Sequence, residues 1–376
     1  MTTIYLIRHA EAEGNLFKRI QGQYDCPVTA LGQQQIACLK THFARIPVDA
    51  VYSSDLRRAC QTAQAIYLPK HLPLHTDPAL REVSFGVWED VPFGAAMSCD
   101  PERMKRFQQG DLNWQIEGGE TLLQAQNRVV SCIQRIIAAN PNRTIAVISH
   151  GTVIRLLLTK LSSAGHYLPE GMNTSISCLL ADSHGIHLQW FNHADHLTGD
   201  VIRKTFQPKQ PIQSDGIPPE LLWFRPWNPE SEEQLYLAWR AEAWMSSHGT
   251  MAHYHGDSFL DAARNHSAYD AFAVQIVLSN GNPIGLIEMD FEAYKKDMVG
   301  FIPFYYVDST HRKQGLGIQL LGQAISAFRK LGRTKLRLRC APENETAYRF
   351  YCRHGFQKIG MAQNSEVPLY LMEREI

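Results

Sequence analysis

Several features are missing from this chain of 376 residues, and each absence removes a class of protein. Its eight cysteines form no Cys-x-x-Cys pair, so the sequence indicates neither a disulfide framework nor a zinc site. No apolar run approaches the roughly 20 residues that span a bilayer. The first residues lack the basic stretch and long apolar run of a signal peptide. These absences predict a cytoplasmic protein without a membrane partner.

The chain also lacks an excess of charge of either sign. It holds 37 Lys and Arg against 37 Asp and Glu, and the two signs stay balanced on each side of residue 206. Proteins that bind polyanions usually carry a basic patch or stripe. The charge therefore predicts no nucleic-acid partner.

Chain length and local composition predict two domains. In the first half, strands alternate with helical patterns, which is typical of a parallel α/β sheet. Residues 207–219 are polar and hold four prolines, and we interpret them as a linker. We therefore place one domain at 1–206 and a second at 220–376.

The segment near the N-terminus is the most informative one. His9 directly follows the strand-like run Ile4–Arg8, and His150 directly follows a second buried-type strand, Thr144–Ser149. In open α/β sheets, ligands bind beyond the carboxyl ends of the strands. A cation beside an imidazole is suited to hold an anion and attack it. The two histidines therefore predict one shared active site.

Two further segments complete a set of four. The stretch 52–63 contains the run Arg58-Ala59-Cys60-Gln61-Thr62, and the stretch 80–89 contains Glu82. Together with the two histidine segments, and in this order, they resemble the histidine phosphatase superfamily, also called the phosphoglycerate mutase-like fold. The resemblance covers about residues 1–206. It implies a three-layer α/β/α domain with a mostly parallel sheet.

The resemblance also implies a role for each matching residue. His9 would become phosphorylated, and Glu82 would protonate the leaving group and then activate water. Phosphoryl transfer needs such a nucleophile and proton donor in an electropositive pocket. The substrate would be a small phosphomonoester, and no metal or other cofactor would be required, because arginines replace the usual divalent cation. The catalytic set would be His9, Glu82 and His150, and the phosphate-binding set would be Arg8, Asn15, Arg58 and His150.

Two departures from the family pattern leave the catalytic groups in place. Ala10 stands where the family usually has glycine, and the run before the long helix is Glu117-Gly118-Gly119-Glu120-Thr121 rather than Pro-Gly-Gly-Glu-Ser. The stretch 90–113, which we expect to cover the substrate, fits no particular subfamily. The short length favours a phosphatase over a mutase, because the longer mutases use extra segments to retain their bisphosphate intermediate.

A second chemistry is indicated in the C-terminal half. Glycines at the junction of a strand and a helix let backbone N–H groups approach an anion, and here the junction is the run 312–318. With the later segment 344–356, it resembles the GNAT family of acyl-CoA N-acyltransferases. The resemblance covers about residues 220–376 and implies an α+β domain with a mixed, splayed sheet. The matching residues are Arg312, Gly315, Gly317, Asn344, Ala347, Tyr351, Gly355 and Phe356.

This second resemblance implies acetyl-CoA as the cofactor and an amine, on a small molecule or a protein, as the acceptor. Tyr351 would protonate the departing thiolate. The base stays open between Glu288, Asp290 and a chain of water molecules. The implied cofactor-binding residues are Arg312, Lys313, Gln314, Gly315, Leu316, Gly317, Ile318 and Asn344.

The sequence thus predicts a bifunctional enzyme, a phosphomonoesterase joined to an N-acetyltransferase. Two alternatives remain. One module could be a binding or regulatory domain, for which the unsettled base leaves more room in the C-terminal half. The N-terminal domain could also be a phosphoglycerate mutase.

Overall fold

The structure is a computed structural model that describes residues 1–162, 166–205, 218–363 and 365–376. The chain splits into two compact units, the first comprising Met1–Val91 and Ala96–Pro211, the second Pro92–Ala95 and Ile212–Ile376. The predicted linker 207–219 lies outside the described residues, apart from Pro218 and Pro219.

The N-terminal unit is built on a sheet of mostly parallel strands in the order β3-β2-β4-β1-β5-β6. The pairs from β3 to β1 are parallel, whereas β5 and β6 are added antiparallel. This sheet confirms the fold class predicted for the first half. The strands are β1 (Thr2–Arg8), β2 (Ala50–Ser53), β3 (Leu74–Thr76), β4 (Thr144–Ser149), β5 (Ile176–Asp182) and β6 (Gly185–His193).

Helices cover this sheet because the side chains of its central strand are apolar on both faces. Ile7 packs into a cluster with Phe43 of α2 and Ile66 of α3, while Ile4 and Leu6 alternate to the opposite face and are also buried. Burying each such side chain contributes about 1.5–3 kcal/mol. The helices are α1 (Glu13–Leu16), α2 (Ala30–Phe43), α3 (Arg57–Tyr67), α4 (Phe93–Cys99), α5 (Pro101–Gln109), α6 (Leu122–Ala139), α7 (Gly151–Leu161) and α8 (Gly199–Thr205).

The C-terminal unit has a mixed sheet in the order β12-β13-β11-β10-β9-β8-β7, in which β10 and β11 are parallel and the other neighbours antiparallel. The mixed sheet agrees with the predicted fold. Its strands are β7 (Trp223–Pro226), β8 (Val274–Ser279), β9 (Asn282–Asp290), β10 (Val299–Val307), β11 (Lys335–Cys340), β12 (Gln357–Met361) and β13 (Tyr370–Glu375). Its helices are α9 (Glu233–His248), α10 (Gly256–Tyr269), α11 (Gly317–Lys330) and α12 (Glu345–Arg353).

Helix α10 contains none of the motifs described above, and its buried residues are Leu260 and Ala263. Across the part of the chain that the structure describes, no helix is long and apolar enough to cross a membrane. The same residues contain no group of three or more His, Cys, Asp or Glu side chains that could hold a metal ion.

Candidate active sites

Two histidines follow the carboxyl ends of neighbouring strands in the N-terminal sheet. Strands β1 and β4 pair in parallel with Arg8 opposite Ser149, and His9 and His150 come next along each chain. The two ring centroids are 5.1 Å apart. His9 is only 3% exposed, and His150 is fully buried. The pairing of two distant strands thus brings together the two histidines predicted to share a site.

The side chain of His9 is held in one tautomer. Its Nδ1 lies 2.7 Å from the carbonyl oxygen of Ala10. Because a carbonyl oxygen only accepts, Nδ1 carries the proton and Nε2 keeps its lone pair. Burial, and then the charges of Arg58 and Arg8, hold the pKa of His9 well below its ordinary value. The ring is therefore neutral near pH 7 and suited to nucleophilic attack.

The space beside the histidines is lined with buried polar atoms that have no protein partner. The Nε atoms of Arg8 and Arg58 and both ring nitrogens of His150 make no hydrogen bond to any described residue. Buried polar groups are nearly always paired, so these atoms indicate an external ligand. Arg58 is fixed by hydrogen bonds to the carbonyls of Gly22 and Tyr24, at 2.6 and 2.9 Å. Two guanidinium groups favour an anion.

The carboxylate of Glu82 lies at the N-terminus of α7, the helix that follows His150. Its carboxylate accepts three backbone N–H bonds of 3.0 Å, from Val83 and Val153 to Oε1 and from Thr152 to Oε2. The positive end of the helix dipole favours a carboxylate at this position. The side chain is buried except for 8% of its surface. A carboxyl group placed here can exchange a proton with a ligand held by His150.

Arg128 was not predicted from the sequence, although it holds the segment that carries Glu82. Its guanidinium pairs with Glu120 at 2.6 Å and donates to three carbonyl groups between residues 79 and 82, at 2.8–2.9 Å. The available signal was its place in α6 beside Val129, which is 1% exposed. An arginine next to a buried position is partly removed from water, so it is expected to find hydrogen-bond acceptors within the protein.

Asn15 is connected to His9 through the side chain of Asn173. Its Oδ1 accepts a hydrogen bond of 3.0 Å from the N–H of Ala12, within the short helix α1. Asn173, which the sequence did not single out, donates from Nδ2 to the carbonyl of His9 at 3.0 Å and lies 3.5 Å from Asn15 Oδ1. Asn173 therefore holds the backbone of His9 directly, and Asn15 is connected to it through Asn173.

One of the two arginines, Arg8, forms an ion pair with an acidic residue, Glu170. Glu170 Oε1 is 2.8 Å from Arg8 Nη1, and the same nitrogen donates to the carbonyl of Gly171. The Arg8 side chain is 12% exposed, whereas that of Glu170 is 43% exposed. Glu170 follows no motif and stands in a stretch without regular structure, so no local pattern indicated this contact.

The C-terminal sheet opens between its two parallel strands. Residues Val299–Ile302 of β10 pair with Lys335–Leu338 of β11, and the described pairing ends there although both strands continue. The next residue of β10 is Pro303, which has no N–H to donate to a neighbouring strand. The end of the pairing agrees with the splay implied by the family resemblance, and it coincides with a register shift of β10 against β9 between Phe301 and Phe304.

Strand β10 leads into the glycine-containing loop. Lys313 and Gly315 adopt positive φ angles of 63° and 77°. No described atom lies within 4 Å of a β-carbon added at Gly315. The first N–H groups of a helix have no partner inside it and can bind a phosphate. Among the predicted cofactor residues, Arg312, Lys313, Gln314, Gly315 and Leu316 form the loop, and Gly317 and Ile318 begin α11.

Among the predicted cofactor-binding residues, Gln314 donates from Nε2 to the carbonyl of Thr310 at 3.0 Å, and the side chains of two more also have protein partners. Arg312 donates from Nη2 to Glu242 at 2.8 Å and from Nε to a backbone carbonyl at 2.7 Å. Asn344 caps α12 by accepting from the N–H of Ala347 at 3.0 Å, and its Nδ2 donates to Ser247 at 3.1 Å. Both side chains stabilise the local backbone in this state of the protein.

Tyr351 lies in a buried aromatic group beside the start of α11. Burial, and then the neighbouring Cys340, raise the pKa of its hydroxyl, which therefore keeps its proton at neutral pH. Its ring centroid is 6.1 Å from that of Tyr305, whose hydroxyl donates to the carbonyl of Gly317. The structure thus connects the predicted proton donor with the glycine-containing loop.

The two acids predicted as candidate bases belong to a buried network. Glu288 accepts from the hydroxyl of Tyr236 at 3.0 Å and lies 2.9 Å from Nδ1 of His266, whose Nε2 is 3.3 Å from Asp290. Burial would lower the pKa of His266, but hydrogen bonds with Asp290 and Glu288 outweigh it and raise the pKa to about 9. His266 is therefore a cation between two carboxylates near neutral pH.

Comparisons with known proteins match both halves of the chain. Residues 4–194 match the model of the histidine phosphatase superfamily (branch 1), and residues 227–356 match that of the acetyltransferase (GNAT) family. Both are families of enzymes. Over 180 residues, which are 47% of this chain and 84% of the relative, the chain is 31% identical to a probable phosphoglycerate mutase GpmB of Proteus mirabilis.

A phosphatase and a solved structure are similarly related. The chain is 30% identical over 161 residues to phosphoserine phosphatase 1 of Hydrogenobacter thermophilus, covering 43% of this chain and 76% of that protein. The structure of YhfR from Bacillus stearothermophilus superimposes with a TM-score of 0.50 at 26% identity, covering 52% of this chain and 99% of the other.

Proposed function

Because the chain belongs to the histidine phosphatase superfamily, we propose that residues 1–206 form a metal-independent phosphomonoesterase that works through a phosphohistidine. We further propose that residues 220–376 form an N-acetyltransferase that uses acetyl-CoA, joined through the linker 207–219. The relatives named as a phosphoserine phosphatase and a phosphoglycerate mutase support a small phosphomonoester as the substrate.

The first half-reaction moves the phosphoryl group onto His9. Nε2 of His9 forms a bond to phosphorus while the ester P–O bond breaks, and Glu82 gives its proton to the leaving oxygen. Arg8, Arg58 and His150 bind the phosphoryl oxygens, which supports the charge that spreads over them in the transition state.

In the second half-reaction, Glu82 takes a proton from water, the water oxygen attacks phosphorus, and the N–P bond breaks. His9 then regains its neutral form, and inorganic phosphate leaves. Glu82 returns to its protonated state, so that the cycle is closed.

The observation that carries this proposal is the neutral, single-tautomer His9 beside four unpaired polar atoms of Arg8, Arg58 and His150. The test is phosphoenzyme trapping by a quench in alkaline denaturant after mixing with a phosphomonoester. Wild-type protein should carry acid-labile phosphate, and the His9→Ala protein should carry none. The exposed His184→Ala serves as the matched control and should label normally. Equal labelling of all three proteins would overturn the assignment of the nucleophile.

For the C-terminal domain, the splay at Pro303 and the open glycine at Gly315 fit the acyl-CoA cofactor of this family. Bound acetyl-CoA would supply an acetyl group activated as a thioester. The N–H groups of the loop 312–318 and the start of α11 would hold its phosphates. Tyr351 would give its proton to the thiolate that leaves when the acceptor amine forms its bond to the acetyl carbon.

The acceptor amine must also lose a proton. Both Glu288 and Asp290 are held by His266, and the pKa of Asp290 is lowered to about 2 because its hydrogen bonds with His266 and backbone N–H groups outweigh its burial. Asp290 is therefore a weak base, and Glu288 is already engaged by Tyr236 and His266, so among the open alternatives we propose that the proton passes to water. Glu288→Gln would then change the acetylation rate less than tenfold, provided the protein stays folded by circular dichroism.

Two observations separate this proposal from its alternatives. A phosphoglycerate mutase would require a bisphosphoglycerate for activity, whereas hydrolysis of p-nitrophenyl phosphate does not. A purely regulatory C-terminal domain would bind acetyl-CoA without transferring the acetyl group to any of a panel of amines. Release of free CoA with such a panel would support the two-enzyme function.

A further inference from the structure

Glu170, the acid that pairs with Arg8, takes no part in the reaction described above. Glu170 Oε1 lies 2.8 Å from Arg8 Nη1, inside the group of residues that we propose to bind phosphate. Arg58, by contrast, forms no ion pair with any residue that the structure describes and donates only to two carbonyls. Arg58 lies in the field of Glu82, Asp25 and Glu89 without pairing with them, so among the described residues Arg8 is the one of the two that forms an ion pair.

Glu170 also lies close to the proposed proton donor. A β-carbon added at Gly151 would be 3.0 Å from Glu170 Oε1 and 3.1 Å from Arg8 Cζ, so both side chains pack tightly against this glycine. The next two residues of α7, Thr152 and Val153, donate their N–H groups to Glu82. The two carboxylates, Glu82 and Glu170, thus flank the first turn of the same helix.

The leaving group of a bound phosphomonoester must emerge beside Glu82, because that residue would protonate the ester oxygen. A group attached to the leaving alcohol would then lie on the side of the site where Glu170, whose side chain is 43% exposed, stands beside the first turn of α7. A carboxylate attracts a cation and repels an anion over such distances. The arrangement is unfavourable for substrates with a carboxyl group near the ester.

We propose that Glu170 is a specificity residue that selects phosphomonoesters carrying an amino group near the ester oxygen and disfavours those carrying a carboxylate. This inference rests on the phosphatase function proposed above and names its substrate class. It also counts against phosphoglycerate as the substrate, since that molecule bears a carboxylate. The alcohol released from a preferred substrate would be an amine, the class of acceptor proposed for the C-terminal domain.

The test compares two substrates of equal length and opposite charge, 2-aminoethyl phosphate and phosphoglycolate, with p-nitrophenyl phosphate as the reference. We expect wild-type kcat/KM to be higher for the amine. In Glu170→Gln the ratio of amine to carboxylate should fall about tenfold, because the interaction changes sign between the two substrates. The rate with p-nitrophenyl phosphate should change less than about threefold.

Two further variants keep the result interpretable. Glu170→Asp retains the charge and should keep most of the preference. Glu117→Gln removes an exposed carboxylate of the same unit and should leave all three rates unchanged. A shift of equal size in Glu117→Gln would mean that net charge, rather than Glu170, sets the preference, and would overturn the proposal.

Two other outcomes would also overturn it. An unchanged ratio in Glu170→Gln would show that Glu170 does not sense the leaving group. An equal rise for all three substrates would show that Glu170 merely competes with phosphate for Arg8. Failure of the wild-type protein to hydrolyse p-nitrophenyl phosphate would instead refute the phosphatase function itself, so the two failures can be told apart.

Discussion

Replacing Glu82 with glutamine removes the carboxyl group that we propose as the proton donor while keeping the size of the side chain. In the structure the carboxylate accepts three N–H bonds of 3.0 Å, two at Oε1 and one at Oε2. An amide has only one oxygen, so even in its better orientation the NH₂ group faces the N–H of Thr152. One of the three bonds must be lost.

The cost to stability follows from these contacts. A hydrogen bond to a charged group contributes about 1.5–3 kcal/mol, and the charge at the N-terminus of α7 contributes about 0.3–1 kcal/mol more. We therefore expect Glu82→Gln to lower the free energy of unfolding of the N-terminal unit by about 2–4 kcal/mol. Its Tm should fall by roughly 10 °C, which leaves it folded at assay temperature.

The effect on activity depends on the leaving group. An alkyl phosphate needs a proton on its poorly leaving alkoxide, so the first turnover should slow about 10²–10⁴-fold. The p-nitrophenolate ion leaves without a proton, and its release should continue in a burst of one equivalent per protein. Water activation would still be impaired, so the burst should be followed by slow steady-state turnover. Stopped-flow absorbance measures the burst of p-nitrophenolate, and phosphate analysis after an alkaline quench measures the slow turnover.

Glu82→Asp and Glu117→Gln are the controls, the first because it keeps a carboxyl group and the second because Glu117 is an exposed acid of the same unit. A folded Glu82→Gln protein that shows no p-nitrophenolate burst, in addition to slow turnover of the alkyl phosphate, would point to a positioning role for Glu82. Full retention with both would mean that another group supplies the proton. Either result would refute our assignment of Glu82.

Three further predictions concern other parts of the chain. Gly315→Ala places a side chain at φ 77°, where L-residues are strained by about 1–2 kcal/mol, so the affinity for acetyl-CoA should fall about tenfold in calorimetry. The control is Gly332→Ala, at φ 71° outside the loop, which should leave this affinity unchanged. Arg128→Met removes the donor from three carbonyls and breaks the ion pair with Glu120, so it should lower the free energy of unfolding by about 3–5 kcal/mol. A Tm within 2 °C of wild type in thermal denaturation would contradict this prediction. His266 has a folded pKa of about 9, above its ordinary 6.5, so its stabilisation is complete below pH 6.5 and is lost as the pH rises through 9. Hydrogen exchange in α10 should report this loss, and His266→Gln should abolish the pH dependence.

The sequence by itself determined the fold class and most of the proposed phosphatase site. Apolar runs such as Ile4–Arg8 and Thr144–Ser149 are local patterns, and a strand that delivers a histidine at its end can be recognised without knowledge of its neighbours. The motif around Arg58 is local in the same sense. The glycine-containing loop 312–318 also specifies its own conformation, because positive φ angles favour glycine.

Only the tertiary structure decided which groups those side chains face. Arg8 meets Glu170, Arg128 holds the backbone before Glu82, and His266 is enclosed by Glu288 and Asp290. Each of these contacts joins segments far apart along the chain, and none has a pattern of its own. They arise when packed elements bring charged groups out of water, because a buried charge must then find a partner. That pairing depends on register and packing, which no single segment encodes.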